Sequence, residues 1–382
     1  MKNKRLVMIP GPTPVTRSIQ EQMGRETQAF GDQEFVSDYA DVIADLKSLW
    51  NLDGEVFVIS GSGTLGMEMA VANTLKSGDN LLIVSHGYFG DRFLELCERK
   101  GIVCDVISSE WGQVVSAAEI DAKLSSKHYH AITVTHVDTA TGVEAPIDEI
   151  GEVMKKYPDT IYILDGVCSS AAVDEDIKKY NIDLLFTGSQ KAFGVPPGLT
   201  ILWANEKVMK RRESLGTIPE YYADFHKWLP IMHDTSKYYA TPSINLIWAL
   251  QESLRIIKEE GLQERYARHR KVGNAMQAAL EKLGFKVLAE MGHRAPTLSN
   301  VIYPEGIDDA KFRSTVYAEG IIVAGGLGPY AGKMFRIGHM GNADMHELVA
   351  AIATIERTLY KMGKTDFELG SGVGAFLKGM LE

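Results

Sequence analysis

The residues best suited to chemistry follow three of the apolar runs in this chain. Ser60-Gly61-Ser62-Gly63-Thr64-Leu65-Gly66 lies between an apolar run and a helical stretch. Asp165 comes directly after Ile161–Leu164, and Lys191 comes shortly after Leu184–Thr187. A glycine-rich turn at a helix N-terminus suits a phosphate, because backbone N–H groups and the helix dipole both favour an anion. The spacing therefore predicts an anion site faced by a carboxylate and an amine.

Each of these features has a plainer interpretation when it is taken alone. The glycine run is also typical of a tight strand-to-helix turn with a Ser or Thr cap, and its glycines fit the GxGxxG pattern of dinucleotide-binding folds. A dinucleotide site requires an acidic residue at the end of the next strand, but Leu81–Val84 is followed by Ser85-His86. Asp165 could cap the turn that follows it, and a lone loop lysine is usually solvated. The combination of the three favours one shared site.

Pyridoxal phosphate chemistry requires this combination of groups. A lysine amine forms a Schiff base with the cofactor aldehyde, and an aspartate keeps the pyridine nitrogen protonated so that the ring can accept carbanion electrons. An anion site holds the phosphate. The sequence therefore predicts that Lys191 and Asp165 act on pyridoxal 5'-phosphate bound at Ser60–Gly66.

Two further residues suit the same chemistry. Phe89, in His86-Gly87-Tyr88-Phe89-Gly90, follows the second strand of the series and could cover the face of the cofactor ring, although core packing explains it equally well. Arg336 follows a glycine-rich loop that begins at Gly325. An arginine fork binds a carboxylate through two hydrogen bonds, as an amino-acid substrate requires, but it could also form a structural ion pair.

Short apolar runs alternate with helical stretches from residue 55 to residue 205, which predicts an α/β fold with a mostly parallel sheet buried on both faces. Leu199–Ala204 follows a Pro-Pro-Gly turn with too little chain for a crossover helix, so we expect that strand to be antiparallel. Residues 1–260 are predicted to form a large domain, with a substrate-side segment at 1–20. Residues 261–382 are predicted to form a smaller α+β domain with a loose glycine-rich tail at Gly370–Gly374.

The composition excludes several classes of protein. The chain has 382 residues, a formal net charge of -10 and a mean hydropathy of -0.08, so we expect no nucleic-acid partner and no membrane partner. The three cysteines form no CxxC pair, which suits a reducing cytosol and predicts a cytoplasmic protein. The sequence contains neither HExxH nor GxSxG, and His128-Tyr129-His130 has no third ligand nearby, so no metal site is expected.

Taken together, these motifs resemble the class V aminotransferases of the fold-type I pyridoxal phosphate enzymes, and most closely the alanine–glyoxylate and serine–pyruvate (serine–glyoxylate) branch. The resemblance rests on motifs spread over nearly the whole chain outside its tail: Pro10-Gly11-Pro12-Thr13-Pro14, Ser60–Thr64, Glu110-Trp111-Gly112, His136–Gly142, Asp165-Gly166-Val167, Gly188–Lys191 and Gly325–Gly338. It implies a large sheet domain of the seven-stranded type and a smaller C-terminal domain.

The resemblance also implies a role for individual residues. Lys191 would bear the cofactor, Asp165 would pair with its ring nitrogen, and Arg336 would bind the substrate carboxylate. The other implied positions are Ser62, Gly63, Thr64 and Gln190 at the phosphate, Val167 and Phe89 on the two ring faces, Thr139 beside the cofactor hydroxyl, and Gly11 on the substrate side. Tyr238 and Thr241 would complete the phosphate site of the neighbouring subunit, which implies a homodimer.

The implied activity is a ping-pong transamination from a small amino acid, with alanine or serine favoured, to a 2-oxo acid such as glyoxylate or pyruvate. Phe89 stands where some relatives have Trp, and Arg25–Phe35 lacks the His-Arg pair of many relatives, which leaves the donor open. The alternatives on the same scaffold are a transaminase for aspartate, ureidoglycine or an aminophosphonate, and a desulfurase or lyase. A nicotinamide-dependent dehydrogenase and a non-catalytic binding protein are more distant alternatives.

Overall fold

The computed structural model describes residues 5–382 of the chain. The strands in chain order are β1 (Leu6–Val7), β2 (Gly54–Ser60), β3 (Asn80–Ser85), β4 (Val103–Ser108), β5 (Ala131–Thr135), β6 (Ile161–Asp165), β7 (Leu184–Gly188), β8 (Leu199–Asn205), β9 (Lys286–Val287), β10 (Leu298–Ile302), β11 (Ile321–Ile322), β12 (Ala324–Gly325) and β13 (Met334–Gly338).

The helices surround these strands on both sides. They are α1 (Arg17–Met23), α2 (Gln33–Leu49), α3 (Gly63–Thr74), α4 (Tyr88–Glu98), α5 (Ala117–Leu124), α6 (Ile147–Met154), α7 (Glu206–Ser214), α8 (Phe225–His233), α9 (Ile244–Glu260), α10 (Leu262–Lys282), α11 (Asp309–Ala318), α12 (Met345–Lys361) and α13 (Ser371–Leu381).

A seven-stranded sheet with the order β2-β8-β7-β6-β5-β3-β4 forms the centre of the molecule. β8 is antiparallel to both of its neighbours. The other pairs, β7–β6, β6–β5, β5–β3 and β3–β4, are parallel. The predicted α/β class, the mostly parallel sheet and the antiparallel strand after the Pro-Pro-Gly turn are therefore confirmed. Every residue of β5, β6 and β7 is buried, because helices cover both faces of a parallel sheet.

The register of the parallel strands brings their carboxyl ends to one edge of the sheet. Thr135 at the end of β5 lies opposite Asp165 at the end of β6, and Asp165 lies opposite Phe186 in β7. The loop that carries Lys191 begins directly after Gly188, the last residue of β7. The sheet thus places these chain segments side by side, at the edge where open α/β sheets bind ligands.

A four-stranded antiparallel sheet with the order β12-β13-β10-β9 lies in the last third of the chain. β1, near the start of the described chain, pairs in parallel with β11. The two long helices α9 and α10 meet at Gly261, whose φ of 82° is favourable only for glycine. Arg336 lies within β13, so the four-stranded sheet lies beside the candidate site.

The buried apolar residues form two clusters. The first surrounds the seven-stranded sheet and contains an aromatic stack in which the ring of Trp50 lies 5.5 Å from Phe193 and 4.8 Å from Trp203. The second is formed mainly by residues after 271 and includes Phe312 and Phe335, whose ring centres are 5.0 Å apart. Among residues 5–382, no helix is both long and apolar enough to cross a membrane.

The prediction of a loose C-terminal tail was wrong, because residues 371–381 form the helix α13. Phe376 is completely buried, and the N–H of Gly372 donates to the buried carboxylate of Glu356 at 2.6 Å. A Cβ at Gly379 would lie 3.0 Å from the Cβ of Ala275, so the glycine allows α13 to approach α10 closely. A high glycine content indicates flexibility only when the segment lacks a packing partner.

Gly151 and Gly374 provide a matched test of helix packing, since both lie in helices where alanine is intrinsically favoured. A Cβ at Gly151 would lie 2.4 Å from the backbone oxygen of Tyr180, whereas a Cβ at Gly374 meets nothing within 4 Å. We expect Gly151→Ala to destabilise the protein by about 1–3 kcal/mol and Gly374→Ala to stabilise it by about 0.5–1 kcal/mol. Thermal unfolding of both variants would measure this, and equal shifts would contradict it.

Candidate active site

A cavity of about 190 Å³ opens at the carboxyl edge of the seven-stranded sheet. Ten of the thirteen residues selected from the sequence line it, and they come from six separate parts of the chain: Gly11, Ser62, Gly63, Thr64, Phe89, Thr139, Asp165, Val167, Gln190 and Lys191. The remaining three, Arg336, Tyr238 and Thr241, do not line this cavity.

Asp165 contributes a deeply buried carboxyl group to the cavity wall, with 3% of its surface exposed. Its Oδ1 accepts a hydrogen bond from the N–H of Val167 at 2.9 Å. The pKa of Asp165 is raised to about 7, mainly by burial and to a smaller extent by the Asp138 carboxylate, while the Val167 hydrogen bond and the Lys191 cation oppose the shift. Ionised Asp165 therefore requires a cation beside it within the cavity.

A second buried carboxylate lies behind the turn that follows Asp165. Glu175 accepts hydrogen bonds from Ser170 at 2.6 Å and lies 2.7 Å from Nδ1 of His136, and all three side chains are shielded from solvent. A Cβ at Gly166 would lie 2.3 Å from the Ser170 hydroxyl and 3.1 Å from Oε1 of Glu175. This polar network packs directly against the backbone that aims Asp165.

Lys191 is 8% exposed, and the N-terminal segment of the chain covers it. Its Nζ donates to the carbonyl oxygen of Pro10, and the Thr13 hydroxyl donates to the carbonyl oxygen of Lys191 at 2.8 Å. A Cβ at Gly11 would lie 2.5 Å from Cδ of Lys191, and Gly11 has a φ of 108°. Only glycine allows the backbone to approach the lysine so closely in this conformation.

The N-terminus of α3 faces the cavity with its backbone donors available. Ser62 is the N-cap residue, but its side chain makes no capping hydrogen bond. Gly63 packs against Val167, because a Cβ at that position would lie 2.7 Å from a Val167 methyl group. The helix dipole and the uncapped first turn together make this end of the cavity favourable for an anion.

Two buried polar side-chain atoms on the wall have no hydrogen-bond partner among residues 5–382. They are Oε1 of Gln190 and the hydroxyl of Thr135. Buried polar atoms in proteins are nearly always paired, so unpaired atoms in a cavity indicate a polar ligand. The donors and acceptors available here fit a molecule that carries both an anion and a polar ring.

Phe89 owes its position to Asp138, a residue that the sequence analysis missed. Oδ2 of Asp138 accepts from the N–H groups of Phe89 at 3.0 Å and Gly90 at 3.3 Å, and thereby caps the start of α4. Its Oδ1 accepts from the N–H of Ala140 at 2.8 Å. Burial raises the pKa of Asp138, and these three hydrogen bonds oppose the shift. Asp138 follows β5 closely, as Asp165 ends β6, so its position near a strand end could have identified it from the sequence.

Other residues on the wall were not selected from the sequence either. They are Met67, Arg92, Thr135, Val137 and Cys168. Cys168 is 1% exposed and lies on the cavity wall next to Val167. Arg92 projects from the second turn of α4, and no local pattern distinguishes it from the other arginines of the chain.

Arg336 lies close to the cavity wall without forming part of it. Its Nε donates to the carbonyl oxygen of Gly325 at 2.8 Å, and its Nη1 donates to that of Thr139 at 3.3 Å. Burial lowers its pKa, while Cys168 and Asp138 oppose that shift. No salt bridge holds the guanidinium among the described residues, so it remains able to bind a carboxylate.

Tyr238 and Thr241 lie at the surface, and the structure does not bring them to the cavity of their own chain. Tyr238 is 60% exposed, and its hydroxyl lies 3.4 Å from that of Thr241. The ring of Tyr238 packs against Phe30 at 4.8 Å between centres.

Comparison with known proteins matches residues 16–340 to the family described as Aminotransferase class-V. The chain is 35% identical to an uncharacterized aminotransferase of Methanocaldococcus jannaschii, over 94% of each chain. It is 33% identical to a serine–glyoxylate aminotransferase of Hyphomicrobium methylovorum, covering 97% of this chain and 93% of the relative. The crystal structure of an alanine–glyoxylate aminotransferase from Nostoc sp. superposes with a TM-score of 0.90 at 30% identity, covering 94% of this chain and 96% of the other.

These matches extend over nearly the whole chain and include the motifs that border the cavity. They confirm the fold-type I architecture and the resemblance that the sequence indicated. The chain belongs to the class V aminotransferase family and is a transaminase.

Proposed function

We propose that this enzyme transfers an amino group from a small amino acid, alanine or serine, to glyoxylate or another 2-oxo acid such as pyruvate, with pyridoxal 5'-phosphate as its cofactor. The observation that carries the proposal is that Lys191, Asp165 and the uncapped N-terminus of α3 border one cavity. Glyoxylate appears in the names of the Hyphomicrobium and Nostoc relatives, which supports it as the acceptor.

The residues of the cavity fit this cofactor. The first turn of α3, with Ser62, Gly63 and Thr64, and the side-chain NH2 group of Gln190 would hold the phosphate. Phe89 and Val167 would enclose the ring, and Thr139 would lie beside its hydroxyl. When bound, pyridoxal phosphate supplies an electron sink for the carbanion formed at the substrate α-carbon and carries the amino group between the two half-reactions.

The residues of the chain would then divide the work of proton transfer and orientation. Lys191 would hold the aldehyde in the resting enzyme, and once its amine is free it would take the proton from the substrate α-carbon. Asp165, already buried and aimed by Val167, would hold the proton at the ring nitrogen. The segment at Gly11 would shield Lys191 from water on the substrate side.

Arg336 would bind the substrate carboxylate through the part of its guanidinium that Gly325 and Thr139 leave free. A carboxylate bound there would lie beside Thr139, which lines the cavity. Binding by two parallel hydrogen bonds fixes the orientation of the substrate as well as its affinity, because the guanidinium and carboxylate planes match. Lysine at this position would keep the charge but lose the orientation.

The alternative reactions find less support in these residues. A desulfurase requires a mobile nucleophilic cysteine, whereas Cys168 is fixed and buried directly after Val167. A dinucleotide site requires an acid at the end of β3, but there Ser85 donates to Asp91 of α4, and Asp79 pairs with Arg211 at the other end of the strand. Aspartate, ureidoglycine and aminophosphonates remain alternative donors for the same scaffold.

Spectroscopy with single donors tests the activity. We expect purified protein supplied with pyridoxal phosphate to show a visible absorbance band that alanine or serine bleaches and that glyoxylate then restores. Lys191→Ala should lower turnover by at least about 10²-fold, because it removes the acid–base group, whereas Lys210→Ala on the exposed face of α7 should not. Bleaching by aspartate alone would replace the proposed donor, and absence of any band would contradict the cofactor.

The raised pKa of Asp165 predicts a pH-dependent stability for the cofactor-free protein. Unfolded Asp165 ionises near its ordinary pKa of 3.8, while the folded carboxyl keeps its proton up to about 7. The folded state therefore binds more protons in this window, and its stability falls as pH rises from about 4 to about 7. Asp165→Asn should remove this loss and be more stable than the wild type above pH 7, by on the order of 2 kcal/mol.

Thermal unfolding of the cofactor-free wild type and Asp165→Asn between pH 4 and pH 8 measures this difference. The gain should be absent near pH 4 and constant above about pH 7, in line with the pKa of about 7. Asp159→Asn, at an exposed position, is the control and should give no pH-dependent difference. A difference between Asp165→Asn and wild type that does not change with pH would contradict the prediction.

We also propose that the enzyme is a homodimer in which Tyr238 and Thr241 complete the phosphate site of the partner subunit. Their exposure on the surface of their own chain supports this, since neither residue borders its own cavity. The exposed rings of Tyr221 and Tyr222 lie close by, with Tyr221 against Tyr239 at 5.5 Å. Exposed aromatic residues are enriched at protein interfaces.

Mixing two inactive variants tests whether the site is shared between subunits. A Lys191→Ala chain and a chain with Tyr238→Ala and Thr241→Ala would each be impaired alone. A hybrid dimer would contain one site with native Lys191, Tyr238 and Thr241, so random mixing should restore about a quarter of the wild-type activity. Mixtures that stay at the level of the separate variants would contradict the shared site.

We also propose the domain boundaries and the cellular location of the protein. Residues 1–260 and 261–382 would form the large and small domains, which the two apolar clusters support, although Met8 packs in the second cluster. A cytoplasmic location would suit the three unpaired cysteines, Cys97, Cys104 and Cys168.

A further inference from the structure

Arg92 is a cation on the wall of the cavity that no part of the proposed mechanism uses. It lies on the second turn of α4 and borders the cavity together with Thr64 and Phe89. Among residues 5–382 it forms no salt bridge. The other cations of this region are paired, since Arg99 lies 2.6 Å from Glu95 and Lys100 pairs with Glu220.

The acidic neighbours of Arg92 are engaged elsewhere. Asp91 accepts a hydrogen bond from the Ser85 hydroxyl at 2.6 Å, and Glu95 pairs with Arg99. A half-buried guanidinium without a carboxylate loses hydration and gains no counter-charge, which is unfavourable unless an anion binds beside it. The arrangement therefore favours the binding of an anion beside Arg92 at the cavity wall.

Two of the contacts of Arg92 connect it to residues assigned to the cofactor. Its Nη1 donates to the Thr64 hydroxyl at 3.3 Å, and Thr64 lies in the first turn of α3, where the phosphate would bind. Its guanidinium carbon lies 4.9 Å from the centre of the Phe89 ring, within the range of a cation–π contact. One side chain thus touches both the phosphate end and the aromatic wall.

We propose that Arg92 is a further phosphate-binding residue of the cofactor site. The proposal rests on the cofactor assignment made above. Arg92 would add a full positive charge to the partial charge at the N-terminus of α3, and a charge-assisted hydrogen bond to a phosphate is stronger than one from a neutral donor. The alternative role is structural: Arg92 would only orient Thr64 and Phe89.

Comparing pyridoxal phosphate with pyridoxal, which lacks the phosphate, separates these roles. Dissociation constants for both compounds would be measured by equilibrium absorbance titration of wild type, Arg92→Gln, Arg92→Lys and the control Arg99→Gln, an exposed arginine at the C-terminal end of the same helix. Arg92→Gln should weaken pyridoxal phosphate binding by about tenfold or more and change pyridoxal binding by less than about twofold. Arg92→Lys should recover part of the loss, and Arg99→Gln should match wild type.

The outcomes distinguish the role of Arg92 from the proposed function itself. Equal weakening of both compounds by Arg92→Gln would assign Arg92 a structural role and overturn phosphate binding, as would an unchanged affinity for pyridoxal phosphate. Failure of the wild type to bind either compound would contradict the cofactor and, with it, this role of Arg92. If the wild type binds both compounds and Arg92→Gln leaves the ratio of their two dissociation constants unchanged, only the role of Arg92 is overturned.

Discussion

The burial of one carboxylate is the constraint on which the organisation of this site depends. Asp165 ends a strand that is buried along its whole length, and removal of its carboxyl from water raises its pKa to about 7. An ionised carboxylate at such a position is stable only with a cation or several donors beside it. The protein supplies one hydrogen bond from Val167 and the nearby Lys191 cation, so the remaining stabilisation must come from what the cavity holds.

Close backbone approach is the second requirement, and glycines meet it. Gly11 lets the N-terminal segment lie over Lys191, and Gly63 lets the first turn of α3 lie against Val167. Gly166 lets the buried network of Glu175 and Ser170 lie against the turn that holds Asp165. A single Cβ at any of these positions would push apart two segments that the cavity requires to be adjacent.

The candidate site is thus assembled from distant parts of the chain by the sheet and by a few capping interactions. Asp138 stabilises the start of α4 and so fixes Phe89 on the wall, while Pro10 and Thr13 hold the Lys191 loop from the other side. Arg336 comes from a separate antiparallel sheet and reaches the wall through Thr139. Each of these contacts joins segments more than forty residues apart, so the site forms only when the whole chain is folded.

The sequence by itself determined the α/β class, the antiparallel strand β8 and the strand-end positions of Asp165 and Lys191. These follow from local signals, namely apolar periodicity, turn residues and the rule that parallel strands end at one edge. Only the tertiary structure decided that residues 371–381 form a helix, and that Asp138 and Arg92 belong to the site. Their roles depend on contacts with residues far away in the chain, such as Ala275 for α13 and Phe89 for Asp138. No local pattern encodes such contacts, because packing of the whole fold determines which distant surfaces meet.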